Sequence, residues 1–296
     1  MTAWRTLQAS VRGAAHRRSG LPNQDAVRIV RAPGGQALIL ALADGHGSAR
    51  CFRSQVGAKL AVASARRLAR RLHEPASLTQ IKRWAEEQLP VELVRSWRER
   101  VEQSLARYPI TEAELAALDL AGRRALDANP WLAYGTTLLT VAIAPTFVFF
   151  LQLGDGDILT VSDEGQVDRP LPPDERLIGN ETTSLCSHQA WKEARVTFQT
   201  LAGVPPALIL AATDGYANSF RDEGGFRQVA RDLWAMIRDE GLDPVQSQLK
   251  GWLSEASEFG SGDDITVALA CRRDIDRAID AAAIRDPGAA EGAESE

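Results

Sequence analysis

Aspartates flank apolar runs at five places in this sequence. ALILALADGHG delivers Asp44 into a Gly45-His46-Gly47 turn, and ALILAATDGYANSF delivers Asp214 onto Gly215. FLQLGDGDI sets Asp155 between glycines, LPNQDAV puts Asp25 before a strand-like segment, and GSGDDITVALA puts Asp263 and Asp264 before another. Aspartate is disfavoured inside strands and favoured in turns, so one such ending is ordinary turn chemistry. Its recurrence after the same ALILA run points further. Carboxylates converging from several strand ends repel one another unless a cation neutralises them. An all-oxygen set without a His or Cys cluster selects hard ions, Mg²⁺ or Mn²⁺. A glycine after the acid lets the backbone carbonyl turn inward as a further ligand. Two such ions about 4 Å apart can polarise a phosphoryl group and activate water.

Gly45-x-Gly47 between a strand and a helix also invites a dinucleotide loop. Arg50 stands where the third glycine is needed, and Asp44 would face the pyrophosphate with like charge. No P-loop occurs. His16, His73 and His188 have no partners by spacing and read as ordinary histidines, His16 being the one to test.

The elements that would hold these acids alternate in blocks. Strands are expected at 7–12, 26–31, 37–43, 136–143, 147–153, 157–161, 195–201, 207–212 and 265–271. Helices are expected at 50–72, over 78–126 with interruptions at Pro90 and Pro109, and at 226–239 and 244–259. Thr111 and Glu114 form a capping box. Residues 165–194, with prolines near 170, read as a long surface excursion. The tail from 286 to 296 lacks apolar periodicity and is expected to be disordered. Helices in blocks between runs of antiparallel-looking strands indicate an α+β fold.

With 296 residues, 45% of them apolar, the chain can bury a full core. A net charge of -5 argues against a nucleic-acid groove. Three scattered cysteines without a CxxC pair suit a reducing cytoplasm. No apolar run is long enough to span a bilayer, so neither a membrane nor a nucleic acid is an expected partner.

GAAHRRSGLPNQDAV, ADGHGS, YGTTLLTVAI, LGDGDI, ATDGYANSF and GDDITVALA, in this order from about residue 10 to 272, resemble the bacterial metal-dependent type-2C serine/threonine protein phosphatases. The resemblance implies a central sandwich of two antiparallel β-sheets flanked by α-helices, an αββα four-layer fold, here as a single catalytic domain over residues 1–285. It implies two Mg²⁺ or Mn²⁺ ions with a bridging hydroxide as nucleophile. Asp44 would bridge both ions, with the Gly45 carbonyl on one. Asp214 and Asp263 would complete the first ion's shell, and Asp155 with Asp214 would hold a weaker third. His46 matches the proposed general acid, and residues 165–194 match the family's mobile flap. Gly135-Thr136 reads as a packing feature at a tight strand start, and Asp264, where the family usually has Asn, as a support for the ligands.

Two positions depart from the family pattern. Asn23-Gln24-Asp25 replaces Asn-Glu-Asp, as in a divergent branch, so that either Asp25 compensates at the second ion or that ion is bound more weakly. The phosphate-binding arginine falls on Gly20, with Arg17 or Arg18 as substitutes. The expected protein is a cytoplasmic monomer acting on a phosphorylated protein substrate and opposing a serine/threonine kinase. The alternatives are a non-catalytic phosphoprotein-binding module and a phosphatase for small metabolites.

Overall fold

The computed structural model describes residues 4–35, 37–72, 76–172, 174 and 182–275. His73, part of the 165–194 excursion and the 286–296 tail lie outside the described residues. One sheet has the order β1 (Trp4–Val11), β10 (Ile265–Arg272), β9 (Leu208–Ala212), β6 (Asp157–Val161), β7 (Val167–Asp168). The other runs β2 (Ala26–Arg31), β3 (Leu38–Ala43), β4 (Leu138–Ile143), β5 (Phe147–Leu153), β8 (Arg195–Thr200). Every pairing is antiparallel.

Both faces of the central strands are buried, which is why their sequences are continuous apolar runs. On β3, Leu38, Leu40 and Leu42 join Leu139, Val141, Phe150 and Ile209 in the layer between the sheets. Ile39, Ala41 and Ala43 face outward into a second core with Ala58, Ala61 and Trp97. Strand β9 repeats the device, with Ile209 and Ala211 inward and Leu208, Leu210 and Ala212 toward a third core. Period-2 alternation here separates two apolar environments rather than core from water. The helices that cover the first sheet's outer face are α4 (Glu223–Glu240) and α5 (Leu242–Ala256). Over the second sheet lie α2 (Ser54–Ser64) and α3 (Leu89–Arg107). This is the four-layer sandwich expected from the sequence.

The differences are local. The helix expected over 50–72 is broken into a short turn at Ala49–Cys51, then α2, then a further piece at Arg66–Arg71. Gly57 explains part of α2's placement, because a Cβ there would collide with the Tyr134 carbonyl. Pro90 does not interrupt its helix; it occupies the first turn of α3, where its missing N–H costs nothing. The excursion at 165–194 is tied down at its start, with Val167 and Asp168 pairing to β6 and Leu171 buried. The Thr111–Glu114 capping box forms as expected. Among the described residues, no helix is long and apolar enough to cross a membrane.

Candidate active site

Asp44 ends β3, and the start of β4 holds its backbone from both sides. Its amide donates to Thr137 Oγ1 at 2.9 Å, and its carbonyl accepts from Thr136 Oγ1 at 2.6 Å and Thr137 N at 2.8 Å. Thr136 is therefore a positioning residue, more than the packing feature its sequence suggested. Gly45 follows because the backbone passes close there: a Cβ would fall 2.7 Å from the Gln24 carbonyl oxygen. Asp214 leaves β9 through Thr213 and opens a helical turn, Asp214–Ala217, with Asn218 Nδ2 donating to its Oδ2 at 3.0 Å. A Cβ at Gly215 would come within 2.2 Å of the Asp264 carbonyl oxygen. Both Asp-Gly pairs thus mark close backbone approaches.

Asp25 is buried, and its Oδ2 accepts from Thr213 Oγ1 at 2.8 Å. Asp264, also buried, accepts from the Gly13 amide at 2.6 Å and the Gln24 amide at 2.6 Å, and its Oδ2 lies 2.9 Å from His16 Nδ1. It fastens the segment before β2 onto the base of β10. His16, read from spacing as an ordinary histidine, is a neighbour of both Asp264 and Asp263. His188 is exposed, as an ordinary histidine would be.

The acids share one electrostatic environment. Burial pushes Asp25 up to about 8, with the Thr266 and Thr213 hydroxyls opposing and Asp264 and Asp263 adding to the rise. Burial, then the charges of Asp25 and Asp214, raise Asp44 well above the usual carboxylate range. Burial likewise raises Asp214, with Asp155 and Asp263 adding to it. Asp263 is raised for the same first reason, with Asp264 and Asp155 contributing. The Asp44 and Asp214 carboxylates approach to hydrogen-bonding reach of each other, an arrangement that two ionised groups do not tolerate unaided. Asp25 Oδ1, Asp214 Oδ1 and Gln24 Oε1 are buried and have no protein partner. Such a site is short of positive charge, and its oxygen-only donor set fits a hard dication. Among the described residues, no three acidic, histidine or cysteine side chains form a cage by themselves. Carbonyls and water would therefore complete the shell, as is usual for Mg²⁺.

These groups line a cleft of about 530 Å³ that includes Asp44, Gly45, Asp155, Asp214, Asp263, His16 and Gln24. Asp25 lies behind it. Gln24 donates from Nε2 to Ser54 Oγ at 2.8 Å. His46 also lines the cleft, half-buried, its ring packed with Cys51 and Cys186 around the Cα of Gly135. Burial holds the His46 imidazole below its ordinary pKa, while Asp155 pulls it upward.

Arg17 is occupied elsewhere, with Nη2 on Glu258 at 2.5 Å and Nη1 on the Arg12 carbonyl at 2.7 Å. The guanidinium in the cleft wall belongs to Arg50 rather than to Arg17 or Arg18. Gly20 caps α1 (Ala14–Ser19) with φ of 78°, a left-handed conformation that a side chain there would strain.

The sequence pattern of protein phosphatase 2C matches residues 12–254. Among solved structures, the catalytic domain of the serine/threonine protein phosphatase PstP, in complex with two manganese ions, is 19% identical. That match covers 92% of this chain and 99% of the other, with a TM-score of 0.55. The S. agalactiae serine/threonine phosphatase is 17% identical over 91% of this chain and 100% of its own, with a TM-score of 0.57. PppA, a key regulatory component of T6SS in Pseudomonas aeruginosa, is 19% identical over 92% and 99%, with a TM-score of 0.56. No protein of curated function matches the chain.

Proposed function

The chain belongs to the protein phosphatase 2C family of serine/threonine protein phosphatases, and from that premise we propose that it hydrolyses phosphoserine and phosphothreonine in proteins with the help of two bound dications, Mg²⁺ or Mn²⁺. Asp44 would hold both ions, with the Gly45 carbonyl, Asp214 and Asp263 on one and Asp25 supporting the other. Asp155 with Asp214 would take a weaker third. When bound, the ions supply Lewis-acid polarisation of the phosphoryl oxygens and a water that is nucleophilic near neutral pH. The chain supplies the rest. Thr136 and Thr137 fix Asp44, the cleft walls orient the phosphoserine, and His46 places a proton on the serine oxygen as its bond to phosphorus breaks.

The observation that supports this reading most is the cluster of mutually repelling carboxylates with unpartnered buried oxygens. A protein that had no use for cations would gain stability by replacing them. A second reading, a non-catalytic module that binds phosphoproteins, draws support from Gln24, whose amide is committed to Ser54, and from the left-handed Gly20.

Turnover of a phosphoserine peptide with added Mn²⁺, and again after chelation, separates the two. The enzyme reading expects phosphate release that chelation abolishes and Mn²⁺ restores. Tight peptide binding without phosphate release under any metal condition would establish the module instead.

A further inference from the structure

The acids and His46 leave one charged group of the cleft without a task. Arg50 is exposed in the cleft wall, and among the described residues it makes no hydrogen bond or ion pair. The guanidinium of Arg53, three residues on, and the Nη2 of Arg98 are by contrast committed to the protein. Arg53 spends its guanidinium on Glu114, Tyr134 Oη and the carbonyls of Tyr108 and Pro109, and Arg98 donates to the carbonyls of Ser187 and His188.

Arg50 is also presented from a rigid base. The turn that carries it is closed by Cys51 N on the Ser48 carbonyl at 2.8 Å and pinned by Arg53 N on the Ala133 carbonyl at 2.7 Å. Its stem runs beside Gly122, with Cγ 3.6 Å from where a Cβ there would sit. An arginine held by its backbone and supported along its stem, with free donors, is prepared to receive an anion.

The position of Arg50 says which anion. It belongs to the wall of Cys51, whose thiol it influences and which packs with His46 around Gly135. If His46 protonates the leaving serine, as the proposed function has it, the peptide around that serine lies along this wall. The phosphoryl group belongs with the cations held by the carboxylates. Elsewhere the cleft presents Asp44, Asp155, Asp214 and Asp263, which repel an acidic peptide.

We propose that Arg50 receives an acidic side chain flanking the phosphoserine, making this cleft selective for acidic phosphosites; the proposal rests on the phosphatase reading above.

The test uses two phosphoserine peptides that differ only in flanking glutamate or glutamine, a lysine-flanked third for the charge reversal, and inorganic phosphate as a competing probe. At low salt the wild-type kcat/KM should favour the glutamate peptide roughly five-fold, about what a partly exposed ion pair supplies, and the preference should shrink as salt rises. Arg50→Gln should erase the preference, Arg50→Lys should keep part of it, and Arg50→Glu should invert it toward a lysine-flanked peptide. A wild type without preference would overturn the proposal. So would an Arg50→Gln loss equal on both peptides and matched by weaker inhibition by inorganic phosphate, because Arg50 would then hold the phosphoryl group itself. If the wild type turns over neither peptide, the phosphatase reading fails separately. Equilibrium binding of the same peptides to the same four proteins then decides the role of Arg50.

Discussion

His16 and Asp264 stand 2.9 Å apart, Nδ1 to Oδ2, with the other imidazole nitrogen 3.9 Å from Asp263. The pair joins the first helical turn of the chain to its last strand beside the cleft. Asp264 also satisfies two buried amides, so Asp264→Ala should cost about 2–4 kcal/mol in denaturant unfolding. Gly13 and Gln24 donate to different oxygens, so Asp264→Asn keeps an acceptor for one amide, sets its NH2 against the other, and should recover only part of that loss. A loss below about 1 kcal/mol for Asp264→Ala would deny the amide contacts their importance.

Asp44→Asn keeps the shape of the proposed bridging ligand and removes its charge. Mn²⁺-dependent turnover should disappear. In metal-free buffer the melting temperature should hold or rise, because the repulsion with Asp25 and Asp214 is relieved. Thermal scans with and without chelator, run beside the activity assay, check both halves.

Gln24 tests the missing charge. In Gln24→Glu, Ser54 can reverse its hydroxyl and donate to the new carboxylate, so the local contact survives. The half-saturating Mn²⁺ concentration should fall several-fold, and the chelated protein should melt lower as one more acid joins the cluster. Titration calorimetry reads the affinity directly, and unchanged affinity would mean that Asp25 already serves the second ion.

Substrates with different leaving groups probe His46. Serine alkoxide departs poorly without a proton, whereas nitrophenolate is stable near neutral pH. His46→Gln should slow phosphoserine peptide hydrolysis by about 10²–10⁴ and nitrophenyl phosphate hydrolysis far less. Losses that match within a few-fold would point to a structural role and turn attention to His16.

The Arg53–Glu114 pair predicts a pH dependence remote from the acids. Two parallel bonds, at 2.7 and 2.8 Å, hold the Glu114 carboxyl down to about 2. A folded-state pKa lowered in this way adds stability that is complete above the unfolded value near 4.5 and fades as pH falls toward 2. With solvent screening the effect is about 1–2 kcal/mol. The melting-temperature gap between wild type and Glu114→Gln should be widest above pH 5, shrink steadily below pH 4.5 and close only below pH 2.

The strands were legible because β3 and β9 carry two opposed apolar faces, which only a doubly covered strand needs. The acids were legible because Asp44 and Asp214 follow the same ALILA run. Long-range partnership was not. His16 and Asp264 are 248 residues apart in sequence, and nothing local announces their contact. Thr136 looked like a strand start because its hydroxyl bond runs to a backbone carbonyl, which leaves no trace in side-chain pattern. The break after Arg50 was hidden by apolar spacing that continues through it, while tertiary bonds from Arg53 decide where α2 begins.

Asp44 ends a strand of one sheet, whereas Asp214 and Asp263 flank strands of the other. Ions held among them would be rivets through the sandwich. Sliding or parting of the layers would then require breaking ionic ligation as well as the interleaved leucines. Amide exchange in β3 and β9 should accordingly become a joint event on loading, both strands opening together or not at all, with a protection that grows with the logarithm of free metal concentration.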